Sequence, residues 1–336
     1  MNRIAKKIYR QILSAEKILL IPHQEPDGDA MGSVSAMAYF FEDIGKDYEI
    51  YCSTEVPEKL SLLPHIKDAR QNNSIWQEPD FDTILFLDCG DTDYAGVSNF
   101  LKQENMEDIN ILNIDHHPSN KKYGHLNLII DSASSTAEIL YFFLRLNLIN
   151  INRDIAMSLL TGLITDTENF SNPGTTEKSL KVASELIHLG ANYNLLKTWF
   201  LKNKDINALK LWGTVLSRLT KHEKHDVVYT YITLNDIKNN NLSEDETAGV
   251  ANFLNNLSEG KVALILKEVE QNKKVKGSLR TTRDDIDVSQ IAKELGGGGH
   301  KKASGFTIEA GIADSLEKIW LVFEKTKHSQ VDNKAQ

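Results

Sequence analysis

The first half of the chain alternates short apolar runs with helical patterns, and this alternation restricts the fold more than any other feature of the sequence. Lys17-Ile18-Leu19-Leu20-Ile21-Pro22, Tyr48 to Cys52, Thr83-Ile84-Leu85-Phe86-Leu87 and Ile109 to Ile114 read as buried strands. Helical stretches such as Ala30 to Ile44 lie between them. Strands that alternate with helices pair in parallel and build an open α/β sheet. Ligands of such sheets gather at the carboxyl ends of the strands. The acidic and histidine residues fall at those ends: His23 follows the first strand, Asp88 ends the third and Asp115 ends the fourth.

From Ser134 to about Thr220 the pattern is mostly helical. Ser135-Thr136-Ala137-Glu138 reads as a capping box opening a helix through Leu146, with further helical stretches at about 153–165, 176–189 and 194–220. The character then changes, to a strand from Val227 to Leu234, a helix around Glu244 to Leu257, and strands near Val262 to Val269 and Val275 to Thr281. A helix near Val288 to Leu295, the run Gly296-Gly297-Gly298-Gly299, and a closing strand and helix complete the chain. The 336 residues exceed one typical domain. We expect two: an α/β domain over 1–205 with a parallel sheet and helices on both faces, and a smaller α/β domain over 226–328. A helical linker over 206–225 and a disordered polar tail over 329–336 are expected around them.

Composition narrows the function. No apolar run reaches the ~18 residues of a membrane span, and the N-terminus has charge but no apolar segment followed by a cleavage site. Cys52 and Cys89 form no CxxC pair and no disulfide framework, which together with the N-terminus suggests a cytoplasmic protein with no membrane partner. The formal charge of −9 argues against coating a long duplex. Between Lys261 and Lys302, however, ten Lys/Arg stand against six Asp/Glu, a local charge of +4 that suits a small anion.

In His23-Gln24-Glu25-Pro26-Asp27-Gly28-Asp29, one imidazole and two carboxylates share a turn between a strand and a helix, with Gly28 expected to let the backbone bend. Such a turn suits a metal, although either aspartate alone would also serve as a helix N-cap. Asp115-His116-His117 is sharper, because adjacent histidines point in different directions: one can ligate metal while the other faces a substrate. Asp88 and Asp166 each close an apolar segment with a carboxylate. His23, Asp27, Asp29, Asp88, His116 and Asp166 together can hold two cations if one carboxylate bridges, the arrangement that neutralises a phosphoryl transition state. Carboxylate and imidazole donors without thiolate favour Mn²⁺, with Mg²⁺ or Co²⁺ as alternatives. His117 is then left to protonate a leaving oxygen.

These residues, motif for motif and in order, resemble the DHH phosphoesterase superfamily. Gly296 to Gly299 with His300-Lys301-Lys302-Ala303-Ser304-Gly305 is similar to the signature of its associated substrate-binding domain, and Ser278-Leu279-Arg280-Thr281 to that domain's arginine motif. The compact two-domain layout resembles the nano-RNase/pAp phosphatase type. The resemblance implies one metal on His23, Asp27 and Asp88, and a second on Asp29, Asp88, His116 and Asp166, with Asp88 bridging. It implies that His117 meets the scissile phosphate or the leaving group, that Asp115 orients a histidine, and that Arg280, Gly297, Gly298, Gly299 and His300 hold the substrate's terminal phosphate. The chain departs from the pattern at Glu168, where many relatives have glycine, and at Ser304, where alanine is common.

The expected activity is hydrolysis of short RNA or DNA oligonucleotides to mononucleotides, dephosphorylation of 3′-phosphoadenosine 5′-phosphate (pAp) to AMP, or both. Cleavage of cyclic dinucleotides or of the linear dinucleotide pApA is the nearest rival, and a non-catalytic nucleotide-binding module is the alternative of another class. The sequence leaves a homodimer open.

Overall fold

The apolar runs of the first half become neighbouring parallel strands of one sheet, those over 18–21 and 83–87 buried on both faces. In the computed structural model, which describes residues 2–77, 79–201, 206–239, 254 and 259–332, the chain divides into two units, Met1–Asn203 and Lys204–Gln336. The first unit runs α1 (Asn2–Ser14), β1 (Lys17–Ile21), α2 (Gly28–Asp43), β2 (Asp47–Tyr51), β3 (Ala69–Arg70), β4 (Thr83–Leu87), β5 (Asn110–Asp115) and β6 (Leu126–Ile129). Helices α3 (Thr136–Leu146), α4 (Arg153–Asp166), α5 (Glu177–His188) and α6 (Tyr193–Leu201) follow. The strand order is β3-β2-β1-β4-β5-β6, with every neighbour parallel. Alternate residues leave the strands on opposite faces. Ile18, Leu20, Leu85, Leu87, Leu112 and Ile114 pack beneath α-helices, while Leu19, Ile21, Ile84 and Phe86 pack against Trp76, Phe81, Val97 and Met106. The second face is thus roofed by loops and by the 3₁₀ turns Asn73–Trp76 and Glu104–Met106.

Strand order reverses between β1 and β4, which opens a crevice at their carboxyl ends. Helices α2 and α4 cross beside it at very close range. A Cβ on Gly32 would stand 2.6 Å from the Ser158 carbonyl oxygen, and one on Gly162 would stand 2.6 Å from Asp29 Oδ1 and 2.8 Å from Ala137 Cβ. Gly28 serves the same crossing: it is the first residue of α2, and a Cβ there would meet the Thr165 side chain at 2.4 Å. Space for α4, and not the expected backbone bend, is what requires glycine at that position.

The second unit runs α7 (Ile206–Ser217), β7 (Thr220–His222), β8 (Val227–Ile232), α8 (Leu234–Asn239), β9 (Val262–Glu270), β10 (Lys274–Arg280), α9 (Val288–Glu294), β11 (Gly298–His300), β12 (Ala303–Ile308) and α10 (Ile312–Asp332). Its sheet has the order β11-β12-β10-β9-β8-β7, parallel only between β8 and β9. Leu264, Leu266, Val275, Leu279 and Phe306 face α9 and α10 through Val288, Ile291, Ile319 and Phe323. On the opposite face Ala263 and Ile265 meet Leu211 and Val215 of α7 and Ile237 of α8. Among the described residues, no helix is long and apolar enough to cross a membrane.

Several elements differ from the sequence expectation. The strand from Val227 stops at Ile232 because Thr233 and Asp236 form a reciprocal cap: the Thr233 amide donates to Asp236 Oδ2 at 2.8 Å and the Asp236 amide to Thr233 Oγ1 at 3.1 Å. The stretch at 194–220 is two helices, and α7, expected within a linker, buries Leu211 and Val215 in the second unit. The expected helix over 244–257 lies outside the described residues apart from Leu254. Helix α10 continues to Asp332, beyond the expected start of the tail, and residues 333–336 are outside the described part. At α3 only half of the expected capping box forms. Ser135 Oγ accepts from the Glu138 amide, but the Glu138 carboxylate turns back to the Ser134 amide and hydroxyl.

The α2–α4 crossing generates a test. Gly162→Ala has no room for its methyl beside Asp29 and Ala137, so overpacking is expected to lower stability by about 1–3 kcal/mol. A urea midpoint unchanged from wild type would contradict that geometry.

Candidate metal and phosphate site

The crevice collects its side chains from five elements. After β1 the chain turns at Glu25, with φ of 48°, and enters α2. His23 is 5% exposed, its Nδ1 lies 2.6 Å from the Gln24 carbonyl oxygen, and its ring stacks on Tyr94 at 4.9 Å. An Nδ1 proton on that carbonyl leaves Nε2 as the open donor atom, 3.9 Å from Asp27 Oδ1 and 3.6 Å from Asp88 Oδ2. Asp27 is the N-cap of α2, accepting from the Asp29 and Ala30 amides, so the capping role and the place beside His23 belong to one residue.

Asp88, immediately after β4, is 2% exposed and has φ of 59°, a left-handed backbone uncommon outside glycine. Thr136 donates its hydroxyl to Asp88 Oδ1 at 2.8 Å. His116 Nε2 lies 3.6 Å from the same oxygen and 3.7 Å from Asp166 Oδ2, where α4 ends. Asp29 is fully buried at the N-terminus of α3, accepting from the Thr136 amide at 2.6 Å and the Ala137 amide at 3.0 Å. Helix N-terminal amides favour a carboxylate there, and each oxygen keeps a second lone pair. Potential ligand atoms fall into three overlapping groups, each within 4.8 Å: His23, Asp27 and Asp88; Asp88, His116 and His117; Asp29, His116 and Asp166.

Asp115, fully buried at the end of β5, accepts from His117 Nδ1 at 2.7 Å through Oδ1. Burial alone would raise its pKa, but hydrogen bonds from His117 and Asn120 hold it below the usual carboxylate range. Burial alone would likewise lower the His117 pKa, yet the bond to Asp115 and the charges of Asp88 and Asp166 push it up to about 9. Burial raises the carboxyls of Asp29, Asp88 and Asp166, and neighbouring carboxylates add to it, so that Asp166 reaches about 7. Three acidic groups close together in a buried crevice repel one another and bind protons or cations to compensate.

In the second unit, Arg280 of β10 and His300 of β11 both pair with Ala303 of β12. Paired residues share a face, so guanidinium and imidazole leave the same side of the sheet. The glycine run is partly strand, because Gly298 and Gly299 pair with Gly305 and Ser304. Gly297 has no space for a side chain: a Cβ there would lie 2.1 Å from the Gly305 carbonyl oxygen.

Thr136, Asn120 and Tyr94 contact Asp88, Asp115 and His23, with Asn113 and Tyr123 behind Asn120, and none of the five stood out in the sequence as a candidate site residue. Only Asn113 left a local signal, as an amide inside the apolar strand Asn110–Asp115. After Asp166, the residues Glu168, Asn169 and Phe170 all have positive φ, at 49°, 57° and 63°. A glycine at the position of Glu168 would adopt that backbone without penalty.

The chain carries a DHH family N-terminal domain, matched over residues 17–163, and a DHHA1 domain, matched over residues 224–326. It is similar to the bifunctional oligoribonuclease and PAP phosphatase NrnA of Thermus thermophilus, 29% identical over 308 residues, which span 90% of this chain and 88% of that protein. NrnA of Bacillus subtilis is 25% identical over 305 residues, 90% of this chain and 92% of its own length. The crystal structure of an exopolyphosphatase-related protein from Bacteroides fragilis shares the fold, with a TM-score of 0.88 over 97% of each chain at 21% identity.

A pH dependence follows from the clustered acids. A carboxyl whose pKa rises on folding binds its proton more tightly in the folded state, so stability falls as pH climbs through the interval between the two values. For Asp166 in metal-free protein that interval runs from 3.8 to about 7. His117 adds a second loss: its stabilisation is complete below 6.5 and disappears as pH rises through about 9. Melting temperatures of chelator-treated wild type and Asp166→Asn are expected to converge at low pH and separate towards neutrality, with the variant the more stable. Parallel curves across that interval would refute the shift.

Proposed function

We propose that this phosphoric ester hydrolase of the DHH family acts on short nucleotides, releasing mononucleotides from oligonucleotides of a few residues and removing the 3′-phosphate of pAp. The observation that carries the reading is the convergence of six nitrogen and oxygen donors on Asp88 and its neighbours, in a chain similar along most of its length to proteins named for those two activities. The donor chemistry fits divalent cations: acids that repel one another in a buried crevice, imidazoles beside them, and no thiolate. In this reading His23, Asp27 and Asp88 hold one cation and Asp29, Asp88, His116 and Asp166 a second, with Mn²⁺ favoured by the mixed donors. Bound there, such ions withdraw charge from phosphoryl oxygens and make water acidic enough to react near neutral pH.

The residues of the chain do the rest. Asp115 accepts a 2.7 Å hydrogen bond from His117 Nδ1, which fixes the ring and leaves Nε2 to deliver a proton to the departing oxygen. Thr136 orients Asp88 through its hydroxyl and Asp29 through its amide. In the second unit Arg280 offers a planar fork for a phosphate and His300 a further donor from the same face, beside the backbone of Gly297, Gly298 and Gly299. That pairing supports recognition of a terminal phosphate on a small substrate over a long duplex.

Turnover of pAp, pApA and RNA of increasing length, measured under Mn²⁺, tests the proposal. We expect rate to fall steeply beyond a few nucleotides, His117→Ala to lose ~10²–10⁴ in kcat, and Asp88→Ala to be inactive. Tight nucleotide binding with no release that depends on His117 or Asp88 would leave only a binding module. Rates independent of length would indicate a general exonuclease.

A further inference from the structure

Behind Asp115 lies a closed set of hydrogen bonds that none of the expected roles uses. The Asn120 side-chain nitrogen lies 2.6 Å from Asp115 Oδ2, 2.8 Å from Asn113 Oδ1 and 3.1 Å from the Cys89 carbonyl oxygen, two protons shared among three acceptors. Asn120 Oδ1 accepts from the Lys122 amide at 2.7 Å, and the Asn120 amide donates to the His117 carbonyl at 3.1 Å. Asn113, fully buried in β5, donates to the Tyr123 hydroxyl at 2.8 Å and to the Cys89 carbonyl at 3.1 Å. Tyr123 completes the set by donating to the same carbonyl at 3.0 Å. Burial pushes the Tyr123 phenol well above its ordinary pKa, so it remains a donor.

Two features make this more than core satisfaction. First, three side chains converge on one carbonyl, and that carbonyl belongs to the residue after Asp88, whose φ of 59° is unfavourable for a non-glycine residue. A strained backbone persists only where its surroundings over-determine it. Second, Asn120 alone reaches both ends: its one nitrogen contacts Asp115, which holds His117, and the carbonyl that follows Asp88. Asp115 has one oxygen on His117 and the other on Asn120, so without Asn120 the carboxylate loses the partner that fixes its plane.

We propose that Asn120 is a positioning residue for the reaction, joining the Asp115–His117 pair to the backbone bend at Asp88 so that the proton-carrying imidazole and the shared carboxylate keep a fixed relation. The assignment rests on the hydrolytic reading for its rate prediction but not for its structural one. Asn120→Asp keeps the shape of the side chain and replaces the donor with an acceptor facing Asp115, so it separates donation from packing. Asn120→Ala removes both, and Tyr123→Phe removes one of the three donors to the Cys89 carbonyl while leaving Asn120 in place.

For Asn120→Asp and Asn120→Ala we expect kcat to fall by about 10- to 100-fold, the range for residues that orient a metal site's ligands, with KM nearly unchanged and the circular dichroism spectrum intact. Tyr123→Phe should lie between them and wild type. Histidine-selective ¹⁵N NMR supplies a readout independent of turnover: wild type should show a low-field Nδ1 proton for His117 in its bond to Asp115, and both Asn120 variants should lose or shift it. An unshifted resonance in folded Asn120→Asp, or wild-type kcat in that variant, overturns the proposal. If wild type hydrolyses no nucleotide, the functional reading fails, and the His117 resonance still decides whether Asn120 positions the pair.

Discussion

Mutual repulsion among buried acids is the constraint around which the first unit is organised. Asp29, Asp88 and Asp115 are at most 2% exposed, and Asp166 stands close to His116 at the end of α4. Burying carboxylates close together is unfavourable unless each finds hydrogen-bond donors or cations. The fold supplies donors one by one: amides of α3 to Asp29, the Thr136 hydroxyl to Asp88, His117 and Asn120 to Asp115. The three imidazoles His23, His116 and His117 fill the remaining sides.

The architecture explains how such a cluster is tolerated. A parallel sheet places its strand ends in one row, and the reversal of order between β1 and β4 leaves space above them. The helices around that space approach closely because glycine occupies the crossing of α2 and α4, which brings Asp29 of α2 beside the final turn of α4. Rigid apolar layers on both faces of the sheet then hold the strand ends still. Stability and chemistry therefore meet in the same few residues: Gly162 lets α4 approach Asp29, and Thr136 both opens α3 and binds two of the acids.

Much of this was legible along the chain. The runs at 17–22 and 83–87 were recognisable because strands buried on both faces are almost continuously apolar, and those at 48–52 and 109–114, interrupted by Glu49 and by Asn110 and Asn113, because they keep strand length and an apolar majority. The short strands Ala69–Arg70 and Leu126–Ile129 carry too few residues for a periodic signal. The break after Ile232 was hidden because Thr233 and Asp236 form their cap only in three dimensions. Asn120 and Tyr123 escaped notice for a related reason, since an amide and a phenol in a loop acquire meaning only from the buried acceptors they meet.

The sequence by itself determined the class of sheet, the two-domain order and the set of titratable side chains at the strand ends, because hydrophobic period and residue type are local properties. Only the tertiary structure decided which of those side chains meet. His116 lies between Asp88 and Asp166, His117 is bound to Asp115, and Asp29 is held by the first amides of α3, 107 residues away in the chain. Distances of a few ångströms between residues far apart in sequence follow from strand order and helix crossing, which no local pattern encodes.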